Sequence, residues 1–386
     1  MGKYLSLAIV SAAFACLVST VRAQWIEDST VDADIRRGIR AVYNLDFGTA
    51  EKAFTVVARA RPDHPAGIFF LAMVDWWKIT IDVEDESKDA AFVRKLEDVI
   101  ALCDRRLERD ENDLAALFFK GGAVGFRGRL ATVRKNWFRA AADGREALPI
   151  VHRAAKLAPR NADIHFGIGI YNYYAAVLPD RYPLLKPLML FLPDGNRQLG
   201  IRQLQHAAEK GKYANWESMY FLVQVLSTYE NKPSSSLPYA RRLSGEFPKN
   251  PVFQRLLGRI YIRLSDWRRA VPVFRKVLEQ CDAHAPGYGR AAEREAAYYL
   301  GENALLRYDA EGAIPYFKRC VSAAQAMESD EASGFRIMAL LKTGNAYDIL
   351  GKRPEALRYY DMVLAQRNHN SSHELARAYR AKPYSR

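Results

Sequence analysis

The chain has 386 residues, 49% apolar and 26% charged, with ordinary glycine and proline contents. These proportions exclude global disorder, collagen-like chains and low-complexity chains. Lysine and arginine number 57 against 44 acids, a formal charge of +13, which favours acidic partners such as an acidic protein face or an anionic lipid.

Residues 1–23 have the layout of a secretory signal peptide. Lys3 supplies a positive start, Leu5 to Val18 carry no charge, and Val21-Arg22-Ala23 places small residues on both sides of a variable one. The apolar run is too short to span a bilayer comfortably. Cys16 fits a lipoprotein site poorly, because Phe14 is bulky. The mature chain is therefore expected in the periplasm, with the outer membrane as a candidate surface and no nucleic acid as partner. Cys103, Cys281 and Cys320 remain after removal. Three scattered cysteines form neither a disulfide framework nor a zinc spacing, and Cys281 with Cys320 is the one pair considered for a bridge.

Internal repetition dominates the rest. Leu257-Gly258, Leu300-Gly301 and Thr343-Gly344 recur at a lag of 43 residues, and so do Ala270, Ala313 and Ala356, and Phe274, Phe317 and Tyr360. Gly38, Ala50 and Phe54 repeat the same internal spacing near the N-terminus. Two antiparallel helices approach closely only where side chains are small. The glycine on the first helix and the alanine on the second predict that contact, with the aromatic one turn further along the same face. Breakers mark the joints: Pro62-Asp63-His64, Asp110-Glu111-Asn112, Pro159-Arg160-Asn161 and Pro248-Lys249-Asn250.

Leu257-Gly258-x-x-Tyr261 followed by Ala270-x-x-x-Phe274 resembles the tetratricopeptide repeat family, with Gln254 where tryptophan is usual. The resemblance implies an all-α, right-handed superhelical solenoid. Read along the chain, residues 24–366 form about eight helix pairs, residues 177–195 an irregular apolar insert, and residues 367–386 a flexible tail. The insert, with Tyr182, Leu184, Leu185, Lys186, Leu188 and Phe191, is open to three readings: extra core, a lid, or a ledge touching a membrane. Its arrangement is similar to a segment of eukaryotic inclusion-body-clearance tetratricopeptide proteins.

No nucleotide-binding loop, nucleophile elbow or metal-ligand spacing is present, so no cofactor and no metal are expected. Glu217-Ser218 copies two residues of some lytic transglycosylases without the downstream motif, and no enzyme activity is expected. Two constellations suit a binding surface. Arg255, Arg259 and Arg263 form a cationic stripe at helical spacing. Arg127, Arg129, Trp137, Tyr171, Tyr173 and Tyr174 combine arginine with aromatics, the usual anchors of interfaces. The function expected is a non-catalytic scaffold holding a protein or peptide, an acidic one by charge, in a concave groove. The alternative is a membrane-peripheral envelope-assembly factor docking through the insert and the basic stripes. Mass spectrometry of the exported protein should find a mature N-terminus at Gln24; an acylated Cys16 would overturn this.

Overall fold

A computed structural model describes residues 26, 28–181, 193–328 and 331–385. The signal peptide and the six candidate residues of the insert lie outside the described residues. Seventeen α-helices are present among them: α1 Ser29–Tyr43, α2 Phe47–Ala60, α3 Ala66–Ile81, α4 Asp89–Leu107, α5 Leu114–Val133, α6 Trp137–Leu157, α7 Ala162–Arg181, α8 Arg197–Lys210 and α9 Asn215–Gln224. They continue with α10 Pro233–Glu246, α11 Pro251–Arg263, α12 Trp267–Asp282, α13 Arg290–Leu306, α14 Ala310–Gln325, α15 Gly334–Ile349, α16 Arg353–Leu364 and α17 Ser372–Ala381. The first sixteen pair as eight successive hairpins, an all-α solenoid of the expected kind.

Five hairpins share one turn. Leu45, Lys135, Ser265, Tyr308 and Gly351 all take positive φ, from 56° to 70°. The next N–H then reaches back to close the helix end, as from Asp46 to Ala41 O at 2.9 Å and from Asp266 to Tyr261 O at 2.8 Å. In four of them the same residue caps the following helix: Asp46, Asn136, Asp266 and Asp309 accept from backbone N–H groups with their side chains. The joints between pairs follow the expected grammar only in part. Asn161 and Asn250 accept from the first N–H groups of their helices, Asp113 rather than Asn112 caps α5, and at α3 His64 Nδ1 accepts from Ala66 N at 3.2 Å.

Within the pairs, glycine makes room for a ring. A Cβ added at Gly38 would lie 2.4 Å from the Phe54 ring, at Gly258 2.6 Å from Phe274, at Gly301 2.8 Å from Phe317, and at Gly344 2.5 Å from Tyr360. Ala50, Ala270, Ala313 and Ala356 are wholly buried beside these contacts. The expected packing therefore holds, with the ring itself resting on the glycine. The α5/α6 pair departs from it: Gly128 has Gly144 sixteen residues on, and buried Asp143 stands against Gly128 instead.

The inner faces of the first pairs are closed by later ones. The Tyr43 ring lies 5.3 Å from Phe247 and 6.0 Å from Phe253, and Trp77 lies 5.4 Å from Phe253. Asn250 donates to Tyr43 O at 3.0 Å, Tyr213 donates to Asp32 at 2.6 Å, and Arg40 pairs with Glu246 at 3.0 Å. Gly287, at φ 81°, sits over Leu45, where any Cβ would lie 2.7 Å away.

Two sequence expectations change. Residues 367–386 contain α17, whose Ala376 is wholly buried against a core of Ile337, Leu341, Tyr360 and Val363, so this stretch is a capping helix and not a flexible tail. Residues 177–181 belong to α7, because Pro179 falls within its last turn and does not end it. Substituting Gly301→Leu should cost about 1–3 kcal/mol or more, since the side chain has only the Phe317 ring to displace. Gly125 has nothing within 4 Å of its Cβ position, so Gly125→Ala should raise stability by up to about 1 kcal/mol through helix propensity. Chemical denaturation of both variants checks the pair of outcomes.

Candidate binding surfaces

Arg129 projects from α5 to the centre of the closed inner face. Its guanidinium lies 4.2 Å from the Phe221 ring centre and 4.6 Å from that of Trp76, and it pairs with Glu217 at 2.6 Å. The other Glu217 oxygen accepts from the Tyr43 hydroxyl at 2.9 Å. Burial, with the Glu217 charge beside it, pushes the Tyr43 phenol well above its ordinary range. Glu217, the residue that imitates a transglycosylase acid, thus holds α1, α5 and α9 together. Rings within cation–π distance and the ion pair with Glu217 engage most of this arginine, whose side chain keeps 20% exposure.

The rest of the arginine–aromatic constellation is also largely spent inside the molecule. Arg127 bonds Asp143 at 2.8 Å and Glu146 at 2.8 Å with little exposure. Tyr173 is wholly buried and donates to Glu230 at 2.7 Å, and Arg197 grips the same carboxylate at 2.6 Å. Burial opposes the charge of Glu230, yet hydrogen bonds from Arg197 and Tyr173 hold its carboxyl below the usual range. Tyr174 packs against Tyr229 at 5.5 Å, and burial pushes its phenol up. Tyr171 is half-buried, donates to Pro193 O and meets the His152 ring at 5.5 Å. Trp137 is 47% exposed, beside Phe138 at 80%, which was not among the sequence candidates. The six do not form one groove: the closed interior takes Arg129, Tyr173 and Tyr174, and the surface keeps Trp137.

The arginine stripe on α11 divides along its length. Arg255 and Arg259 reach the same Glu295 oxygen of α13, at 2.8 and 3.3 Å, while Arg263 is exposed and donates to Asn231 at 2.6 Å. Glu295 is 1% exposed; burial opposes its charge, and Arg259 and Arg255 keep its carboxyl below the usual range. One pair further on, Glu328 holds Arg294 at 3.3 Å and Arg336 at 3.6 Å. The Phe335 ring lies 5.3 Å from Tyr298 and 6.1 Å from Tyr299, with the Arg294 guanidinium 5.5 Å away. Sequence spacing located the stripe but not these acids, which come from other helix pairs.

Cys103, Cys281 and Cys320 are free thiols, and burial pushes them up to about 12, 11 and 12. Among the described residues no group of three or more histidines, cysteines and acids could hold a metal ion, and no helix is long and apolar enough to cross a membrane.

Stacked helical hairpins with glycine-seated rings define a repeat scaffold. The family model described as tetratricopeptide repeat matches residues 255–283, within the hairpin of α11 and α12, so that this hairpin is similar to a tetratricopeptide repeat. No curated protein matches the sequence. Solved structures similar to it include a human IFIT1 dimer with PPP-AAAA, at 14% identity and a TM-score of 0.41, covering 83% of this chain and 69% of that one. Yeast Tom70 overlaps at 9% identity and a TM-score of 0.36, over 88% and 86% of the two chains. The P58(IPK) TPR domain does so at 15% and 0.24, over 87% and 84%. Overlaps this loose say nothing about what the chain binds.

Glu217→Ala should destabilise the fold by about 3–5 kcal/mol, because it strands Arg129 in a nearly closed site. Adding Arg129→Met should recover much of that loss, and a double-mutant cycle by denaturation measures the coupling.

Proposed function

We propose that the protein is an exported, non-catalytic tetratricopeptide-type scaffold that binds an acidic protein or peptide segment along the first helices of its last three pairs. One observation carries this reading. Four arginines, Arg255, Arg259, Arg294 and Arg336, are held by two acids, Glu295 and Glu328, so two positive charges remain uncompensated beside Tyr298, Tyr299 and Phe335. The acids fix the guanidinium groups in place, which lowers the ordering cost of clamping a carboxylate. Arg263 extends the positive strip along α11. The inner face of the first pairs offers no comparable site, because its side chains are committed to one another.

The test uses a fluorescent oligoglutamate peptide as probe. Arg259→Gln with Arg263→Gln should keep helicity, since the two residue types have similar propensity, and should weaken binding about tenfold at low salt. Added salt should weaken the parent in the same direction, because exposed charges are screened over about 8–10 Å. Absent or salt-independent binding overturns the proposal.

A further inference from the structure

Closure of the array creates a cleft that no helix pair has by itself. The α3–α4 connection of the second pair is brought to the α12–α13 connection, because Gly287 seats against Leu45 and Ile81; a Cβ at Gly287 would lie 2.7 Å and 3.5 Å from their side chains. The two connections enclose a cleft of about 730 Å³. Asp82, Glu84 and Asp85 line one side of it, and His284, Pro286 and Tyr288 the other. Ile81, Ala292 and Met327 add an apolar lining. A cleft of this volume suits a small organic group.

Charge in the cleft runs against the sign of the chain, whose formal charge is +13. Residues 82–89 hold five acids, and with Lys88 and Arg134 counted against them three negative charges remain. Arg134 bonds Asp89 at 2.6 Å and the Val83 carbonyl, and lies 3.8 Å from Glu86, while Asp85 accepts from Ser87 N at 2.9 Å. Asp82 and Glu84 are exposed, and their carboxylates make no hydrogen bond or ion pair with any described residue. Across the cleft, Arg290 is held by Glu293 at 2.8 Å, and His284 is the other base of the lining. Tyr288 supplies a second and independent sign of a ligand. It is 7% exposed, yet its hydroxyl bonds no described residue, whereas buried Tyr43, Tyr173 and Tyr213 each give theirs to a carboxylate. Burial pushes the Tyr288 phenol up to about 12, so it stays protonated. The carbonyls of His284, Pro286 and Gly287 in the same wall accept no hydrogen bond from any described residue. An unbonded polar group buried in a cleft wall calls for a partner from outside the chain.

We infer that this cleft binds an alkylammonium group, the chemistry shared by a free aliphatic diamine and a lysine side chain, with Asp82, Glu84 and Tyr288 as its acceptors. An ammonium has three donors and no acceptor, so the two unspent carboxylates, the phenol oxygen and the unbonded carbonyls match it. Its methylene chain suits Ile81, Pro286 and Met327, as the stem of a lysine lies along apolar surface while its head stays polar. Among the described residues no group of three or more acids, histidines and cysteines could hold a metal ion, so the acids do not make an inorganic cation site. The ligand touches both connections and therefore stabilises the closed array by mass action. The cleft shares no residue with the arginine strip and takes the opposite charge, so either proposal can fail alone.

The experiment is calorimetric titration of the full chain at low salt with cadaverine and with a capped Ala-Lys-Ala peptide, pentanediol serving as the uncharged match of cadaverine. The parent should bind an amine saturably and ignore pentanediol, and the bound amine should raise the midpoint of thermal unfolding. Asp82→Asn with Glu84→Gln should weaken binding about tenfold. Circular dichroism should show unchanged helicity in that variant, because both side chains are exposed and unbonded. Tyr288→Phe should weaken binding about fivefold. Its unfolding midpoint without ligand should match the parent's, because the hydroxyl has no bond in the fold to lose. The tighter of the two amines identifies the source as a free diamine or as a partner's lysine. No saturable binding of either amine, or binding of pentanediol equal to that of cadaverine, overturns the inference. So does unchanged affinity in the acid variant. A loss in the acid variant with none in Tyr288→Phe would reduce the cleft to a non-specific acidic surface, and overturns it as well.

Discussion

In the first, sixth, seventh and eighth pairs a ring seated on a glycine brings the two helices of the hairpin close together, and the packing of those pairs depends on that contact. Where Phe54, Phe274, Phe317 or Tyr360 rests on its glycine, the hairpin is narrow and its second helix can present an even face to the next pair. The third pair lacks a ring at this place, and charge fills it instead: Asp143 is buried against Gly128 and bound by Arg127 and Arg139. A buried carboxylate needs both guanidinium groups to offset its desolvation, so the pair exchanges non-directional packing for fixed ion-pair geometry. Its α6 buries only Asp143, Leu148 and Ala154, which leaves Trp137 and Phe138 in solvent.

Closure of the inner face decides what the first pairs can offer a partner. A solenoid that curves openly leaves its first helices free. Here α1, α3 and α5 are packed against α9 and α11 through Tyr43, Trp77, Arg129 and Phe253. The pairs beyond α11 are not closed in this way. Their arginines Arg255, Arg259, Arg294 and Arg336 pair with Glu295 and Glu328. The two ends of one repeat array therefore differ: the first helices of the early pairs are covered by later ones, while beyond α11 the packing runs from each pair to the next.

The helices, their pairing and the glycine-ring spacing could be read from residue types because they depend on neighbours within about twenty positions. The α17 helix is equally local: Leu375, Ala376 and Tyr379 share one face, behind a polar run that has the composition of a tail. The fate of Arg129 and Tyr173 could not be read. Arginine and tyrosine have the composition of an interface whether the opposing surface is a partner or the same chain, and the acid opposite Arg129 lies 88 positions away. The stripe on α11 shows both outcomes within one helix. Arg255 is drawn to Glu295, 40 positions on, while Arg263 reaches solvent two turns later. Spacing identifies a face, and only the curvature of the whole array says what stands in front of it.

Closure also governs how the chain assembles and comes apart. A linear repeat array can nucleate anywhere and grow by adding neighbours, because each unit touches only the next. Contacts from Tyr43 to Phe253 and from Asp32 to Tyr213 join residues about two hundred positions apart, so their loop entropy is spent before they stabilise anything. The first six pairs thus behave as one cooperative block that forms late and opens as a whole. The last pair and α17 have a small core of their own around Ile337, Leu341 and Tyr360, joined to the main core through Phe335, Ala339 and Ala346, and they lie outside the clasp that closes the block. Pulled from its ends, such a molecule would yield first at its C-terminal pair and then resist until the clasp between the first and sixth pairs breaks.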